Sequence, residues 1–327
     1  MNYRDLGQTG FKVSEVSLGA WQIGASWGNI TDDDAIRVVH SALDNGINFI
    51  DTADVYGDGR SERFIAKVLK ERKEEVRVAT KAGRRLSPHV AAGYNRENLT
   101  AFVERSLQNL ERETLDLVQL HCPPTEVYYQ PEVFEILDDL KRSGKILHYG
   151  VSVEKVEEAI KALEFPGVET VQIIFNPFRQ RPRDLFFPLT QLRKVGILAR
   201  LPLSSGLLSG KITRETKFPA DDHRNFNRHG EQFDRGETFS GIDLDVALDA
   251  VEEIRKLLPP GVSMANFALR WILDHPALSC VIPGARNERQ VAENAKASSL
   301  PPLTTDQFDA VQRIYENSIK GLVHQRW

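Results

Sequence analysis

Cysteine is scarce, with only Cys122 and Cys280 in 327 residues. Two isolated thiols exclude a disulfide framework and a cysteine-based zinc site. None of the 8 histidines stands in a His-Glu-x-x-His or similar ligand spacing, so no metal is expected. Long apolar runs are absent too, and Met1-Asn2-Tyr3-Arg4-Asp5 opens no apolar leader. No membrane association is expected, and a cytoplasmic location is the default. Positive charge is not in excess: the net charge of -4 leaves no electrostatic footprint for nucleic acid. No G-x-G-x-x-G fingerprint occurs, which removes a Rossmann dinucleotide site. Gly206-Leu207-Leu208-Ser209-Gly210-Lys211 is one residue too short for an ATP-binding P-loop. Ile212 also stands where Ser or Thr would hold magnesium.

What the chain does have is a regular alternation of strand-like and helix-like segments. Strands are expected at Val13–Leu18, Asn48–Asp51, Val76–Lys81, Leu115–His121, Ile146–Ser152, Thr170–Phe175, Gly196–Leu201 and Leu278–Pro283. Helices are expected at Asp32–Asp44, Ser61–Lys70, Asn95–Leu110 and Pro131–Ser143, and near 153–163, 184–194, 243–257, 263–274 and 287–297. Phe64, Ile65, Val68 and Leu69 show the helical spacing, and Thr31 or Asp32 suits the first N-cap. Eight strands, each with a following helix and no Gly/Pro/Ser linker between them, predict a closed parallel (β/α)8 (TIM) barrel. It forms one domain over residues 1–327. Residues 1–12 are expected as a hairpin turning at Gly7–Gly10 and plugging the barrel bottom, and 304–318 as a final helix. The polar segment 212–241, after the seventh strand, shows no periodicity, and a connection that long is functional or disordered.

Four residues have an unusual placement. Asp51, Lys81 and His121 close apolar strands two, three and four, and Tyr56 lies one short loop beyond Asp51. Taken singly, each has an ordinary reading: an N-cap Asp, a rim Tyr, a solvated Lys, a structural His. Jointly they end adjacent strands of a barrel, whose carboxyl ends ring one open mouth where catalytic groups gather. A carbonyl that accepts hydride develops negative charge on oxygen and needs a proton donor there. Tyrosine, with a free pKa of about 10, is a poor donor unless a nearby cation favours its anion. Lys81, held by Asp51, would be that cation, and His121 would orient the carbonyl. A lyase or isomerase forming a carbonyl adduct on Lys81 is a second reading of the same lysine.

The spacing Asp51-x-x-x-x-Tyr56, with Lys81 and Leu120-His121, resembles the tetrad of the aldo-keto reductases. The likeness extends through Tyr3-Arg4-x-Leu6-Gly7-x-Thr9-Gly10, Ser17-Leu18-Gly19, Gly150-Val151-Ser152, the Gly206–Lys211 loop and Ile282-Pro283-Gly284-Ala285-Arg286-Asn287 with Glu293-Asn294. The resemblance implies NADP(H) bound across the barrel mouth and a small carbonyl substrate. It assigns Ser152 and Gln172 to the nicotinamide carboxamide, with Gly19, Ala20 and Asp51 near the ribose. Leu203, Ser204, Gly206 and Lys211 fall to the pyrophosphate, and Gly284, Arg286, Gln290, Glu293 and Asn294 to the adenosine end. Arg200 stands where many relatives stack an aromatic ring on the nicotinamide, and Val153 where many carry Asn. Gly284, Ala285 and Gln290 replace the Lys, Ser and Arg of strongly NADP-selective relatives, leaving Arg286 for a 2'-phosphate. Trp21, Trp27, Tyr128 and Tyr129, with Tyr56 and His121, are candidates for the substrate pocket, and 82–94 and 212–241 for its cover. The potassium-channel β subunits share the resemblance, so a regulatory NADP(H)-binding protein is the rival reading.

Overall fold

The computed structural model describes residues 1–24 and 30–327, so Trp27 lies outside the described residues. Tyr3–Asp5 (β1) and Lys12–Ser14 (β2) pair antiparallel, with Tyr3 opposite Ser14 and Asp5 opposite Lys12. The hairpin turns at Gly7, where φ is +55° and a β-carbon would sit 2.3 Å from the Gly196 amide nitrogen. Only glycine permits that approach, which presses the hairpin onto the barrel floor.

Eight parallel strands follow: Leu18–Gly19 (β3), Phe49–Asp51 (β4), Arg77–Ala82 (β5), Leu115–His121 (β6), Ile146–Ser152 (β7), Val168–Ile174 (β8), Gly196–Arg200 (β9) and Cys280–Val281 (β10). Each is hydrogen-bonded to the next in chain order. Parallel bridges Val16–Val281 and Gly19–Gly284 join β10 to β3 and close the ring. This is the expected (β/α)8 barrel, with its long connection after β9.

The expected strand Val13–Leu18 is corrected. Lys12–Ser14 belongs to the hairpin and Leu18–Gly19 to the barrel, with a corner between them. There the Ser17 hydroxyl donates to the Ser14 carbonyl at 2.8 Å, and Glu15 is drawn to Arg4. The last strand is shorter than Leu278–Pro283, and a short helix at Trp21–Gly24 was not anticipated. The final helix runs Thr305–Ile314 and then loosens into a wider turn over Tyr315–Ile319. Thr31 is the N-cap of Asp32–Asp44, in a reciprocal capping box with Asp34.

The two-residue period of a strand explains how the barrel separates packing from chemistry. Phe49, Ala79 and Leu117 point inward near the floor and pack with Leu6, Phe11 and Val13 of the hairpin, which therefore plugs the bottom. Two residues later on the same strands, at the top, stand Asp51, Lys81 and Gln119, and a further two along β6 stands His121. On the opposite face of these strands, Ile50, Val78 and Val118 join the larger core under the helices.

Ring closure depends on small residues. A β-carbon on Gly19 would lie 2.6 Å from the Ile282 carbonyl oxygen, which is backbone and does not yield easily. One on Gly284 would meet the mobile end of Gln22 instead. Gly19→Ala is therefore expected to destabilise by about 1–3 kcal/mol and Gly284→Ala by less. Urea unfolding of both variants checks this, and equal costs would contradict the backbone argument.

Candidate active site

Asp51, Tyr56, Lys81 and His121 converge at the top of β4–β6. Lys81 Nζ donates to Asp51 Oδ2 at 2.6 Å and to the Thr52 carbonyl at 2.8 Å, and reaches Tyr56 Oη at 3.5 Å. Asp51 and Lys81 are both buried, so each is the other's required partner. Asp51 Oδ1 accepts from Gln172 Nε2 at 2.7 Å and from Gln119 Nε2 at 3.4 Å. Tyr56 meets the His121 ring edge-on, with centroids 5.9 Å apart.

Burial lowers the Lys81 ammonium, but Asp51 and Tyr56 outweigh it, and the amine is held above its ordinary value. A protonated lysine locked to a carboxylate is no nucleophile, which argues against a carbonyl adduct at Lys81. As expected, Lys81 acts to lower the Tyr56 phenol. Burial raises the phenol and outweighs the lowering by Lys81, with Asp51 and Glu237 adding to the rise. The physical reason is burial, which Lys81, its charge already matched by Asp51, does not offset. Tyr56 is thus a protonated phenol at neutral pH, hydrogen-bonded to a cation that steadies any anion left after proton loss. His121 is held well below its usual value by burial, then by Arg84 and Lys81, and is a neutral imidazole.

The residues assigned to a cofactor fall into groups with different fates. Ser152 Oγ lies 3.5 Å from Gln172 Oε1, and both are buried beside Asp51. Ala20 is fully buried, its amide donating to the Asp51 carbonyl at 2.8 Å. Ser204, Ser205 and Gly206 take successive φ values of +48°, +53° and +97°, forming a tight backbone turn after Leu203. Lys211 is exposed at the end of that turn. Arg286 Nη2 is 4.0 Å from Asp222 Oδ2, and Gln290 Oε1 accepts from the Arg286 amide at 2.7 Å. Asn294 donates to the Gly284 carbonyl at 3.3 Å. Glu293 accepts from Ser263 and Asn266, each at 2.9 Å, which ties its helix to the neighbouring one. Arg200 is the clear departure: its guanidinium is taken up by Glu154 at 2.8 Å and the Val153 carbonyl at 3.1 Å.

Around the mouth, Trp21 packs on His223 with ring centroids 4.9 Å apart. Two expected pocket aromatics are corrected. Tyr128 is fully buried in the core rather than facing an open pocket. Tyr129 is 65% exposed and lies under Lys161 on the surface. The two segments expected to cover the mouth do meet, through an Arg84–Glu237 ion pair at 2.9 Å and Arg84 over the Phe233 ring at 5.6 Å.

Sequence reasoning missed Gln119, Glu154, Glu237 and Arg224. Gln119 was legible as the inward residue two before His121. Arg224, paired with Asp222 and 3.5 Å from the Ser205 carbonyl, lies in a segment without periodicity and gave no signal. Asp54 was missed as well: neither carboxylate oxygen has a hydrogen-bond partner among the described residues. Burial and then Glu62 push it up to about 7, against Arg85 and Arg105.

Among the described residues no helix is long and apolar enough to cross a membrane. A model of the Aldo/keto reductase family matches residues 15–316. Aldo-keto reductase YhdN of Bacillus subtilis (strain 168) is 32% identical over 333 residues, spanning 99% of this chain and 96% of that protein. The structure of glycerol dehydrogenase AKR11B4 from Gluconobacter oxydans aligns with a TM-score of 0.80 at 32% identity, covering 97% of this chain and 96% of that one. A probable voltage-gated potassium channel subunit beta of Oryza sativa subsp. japonica is 28% identical over 98% of each chain.

Proposed function

Because the chain belongs to the aldo/keto reductase family, an NAD(P)H-dependent oxidoreductase family, we propose that it reduces an aldehyde or ketone to an alcohol with NADPH, Tyr56 giving the proton. The observation that carries this reading is the buried Asp51–Lys81 pair with the Tyr56 phenol at hydrogen-bonding reach of the ammonium.

The donor set suits a nicotinamide dinucleotide phosphate. Three successive positive-φ residues, Ser204–Gly206, make a tight backbone turn, with Lys211 shortly after it in the chain and Arg224 close to Gly206. Such a turn with flanking cations fits phosphate oxygens. Ser152 and Gln172 would hold the carboxamide, Leu203, Ser204, Gly206 and Lys211 the pyrophosphate, and Arg286, Gln290 and Asn294 the adenosine end. The bound cofactor supplies hydride. The chain's own task is then to bind a carbonyl between Tyr56 and His121, with Trp21 at the rim. Neutral His121 orients the carbonyl oxygen by donating an N–H. Tyr56 releases its proton to that oxygen as charge develops, and Lys81 steadies the phenolate left behind.

The similarity to the rice channel subunit supports a second reading, a regulatory protein that holds NADP(H) with little or no turnover. Fluorescence titration with NADPH and NADH, followed by a panel of aldehydes, ketones and sugars, distinguishes the two. Saturable NADPH binding with turnover of at least one carbonyl is the expected result. Binding without any turnover favours the regulatory reading, and absence of binding to either cofactor overturns both.

A further inference from the structure

The reduction mechanism leaves unused a set of buried and half-buried charges beside the Ser152–Gln172 pair. Arg200, ending β9, donates through Nη2 to Glu154 Oε2 at 2.8 Å and lies 3.6 Å from Cys122 Sγ. Its Nη1 is 3.7 Å from Glu237 Oε2, and Glu237 Oε1 accepts from Arg84 Nη1 at 2.9 Å. Cys122 Sγ is itself 3.5 Å from Ser152 Oγ, so the cluster adjoins the seat assigned to the nicotinamide carboxamide.

The two glutamates are crowded together. One oxygen of each, with Cys122 Sγ, lie within 4.8 Å of one another, and Glu154 Oε1 is buried without a hydrogen-bond partner among the described residues. Two carboxylates this close do not both ionise readily, and one proton shared between them supplies the missing bond. Burial pushes Glu154 up to about 8, Arg200 opposing and Glu237 adding to the rise. Burial also acts to raise Glu237, but Arg84 and Arg200 outweigh it and hold it down at about 2. The guanidiniums already neutralise these acids, which argues against reading the sulfur and two oxygens as a cation site.

The groups facing the pair come from every neighbouring loop. Arg84 follows β5, and Arg179, buried after β8, faces Glu154 and Asp234; burial pulls its guanidinium down to about 9, with Glu154 and Asp234 opposing. Asp234 and Glu237 come from the long connection after β9. Burial raises the Cys122 thiol, and His121 is held neutral, so neither carries charge near pH 7. With one proton on the glutamate pair, three guanidiniums face two carboxylates and the cluster is a net cation. When that proton leaves, the charges balance.

We propose that this cluster is a proton-dependent charge beside the nicotinamide: while Glu154 and Glu237 share a proton, the chain holds the reduced cofactor more tightly than the oxidised one, and it loses that preference when the proton leaves. The reasoning rests on the NADP(H) reading above. The oxidised ring is cationic and the reduced ring neutral, so an uncompensated positive charge nearby disfavours only the oxidised form.

The test is the dissociation constant of NADPH and of NADP+ on the full chain, from tryptophan fluorescence between about pH 6.5 and 9.5, a span bracketing the shared proton. Charges on the adenosine side are common to both forms and cancel in the ratio. The NADP+/NADPH ratio of constants is expected to be about tenfold larger at the acid end than at the alkaline end. Glu154→Gln removes the titrating acid while keeping the net positive charge, and should hold the acid-end ratio throughout. Glu237→Gln, on another element, should do the same and serves if the first variant fails to fold. A ratio that is flat with pH in the parent overturns the proposal. So does an unchanged pH dependence in both variants, which would assign it to another group, Asp54 or Arg179. Failure of both cofactor forms to bind would overturn the function proposed above and this inference with it.

Discussion

Tyr56→Phe is expected to abolish carbonyl reduction, lowering kcat by about two to four orders of magnitude, while leaving NADPH affinity and stability close to the parent's. The reason is geometric. Among the described residues the hydroxyl makes a single long contact, to Lys81 Nζ at 3.5 Å. The ring is what packs, lying 5.2 Å from the Lys81 ammonium and edge-on to His121, and Phe keeps both contacts. Only the transferable proton is lost. Neither neighbour replaces it: Lys81 is bound to Asp51 and Thr52, and neutral His121 is an orienting donor. Steady-state rates with a small aromatic aldehyde, NADPH fluorescence titration and thermal unfolding of the same preparation separate the effects. A kcat within about tenfold of the parent's would remove Tyr56 from the acid role.

That the four residues meet was legible because a strand repeats every two residues. Asp51, Lys81 and His121 follow inward-facing apolar positions at even spacing on three consecutive strands, so barrel closure alone brings their side chains to one mouth. The same periodicity misled at Val13–Leu18, where Val16-Ser17-Leu18 alternate again after the polar pair Ser14-Glu15 that marks the corner. Arg200 is placed beside the nicotinamide by the resemblance alone, because the sequence gives no sign of its partners. Glu154 lies 46 residues away on another loop. The Arg84–Glu237 pair spans 153 residues and is set by how two aperiodic loops lie on each other. Tyr128 failed for a related reason: a loop aromatic carries no periodic signal to tell an inward ring from an outward one.

Lys81→Met is expected to have the largest effect on stability as well as a loss of activity. It strands the Asp51 carboxylate, which is only 3% exposed, with amide donors in place of a cation. Removing one partner of a buried ion pair costs about 3–5 kcal/mol. The pH dependence has a definite sign. The Lys81 ammonium is held above its ordinary value in the folded chain. Its contribution in the parent is therefore fully present below the unfolded value of about 10.4, and is lost as pH rises through the raised folded value. Adding Asp51→Asn should recover much of the stability but none of the activity, because the charge that steadies the tyrosinate is still missing. Without that charge the Tyr56 phenol moves further up, so the alkaline limb of alcohol oxidation should shift to higher pH in any residual activity. Urea unfolding at two pH values and a pH–rate profile measure the two arguments separately. A single variant as stable as the parent at pH 7 would refute the stranded-charge argument. An unmoved limb would show that Lys81 does not tune the phenol.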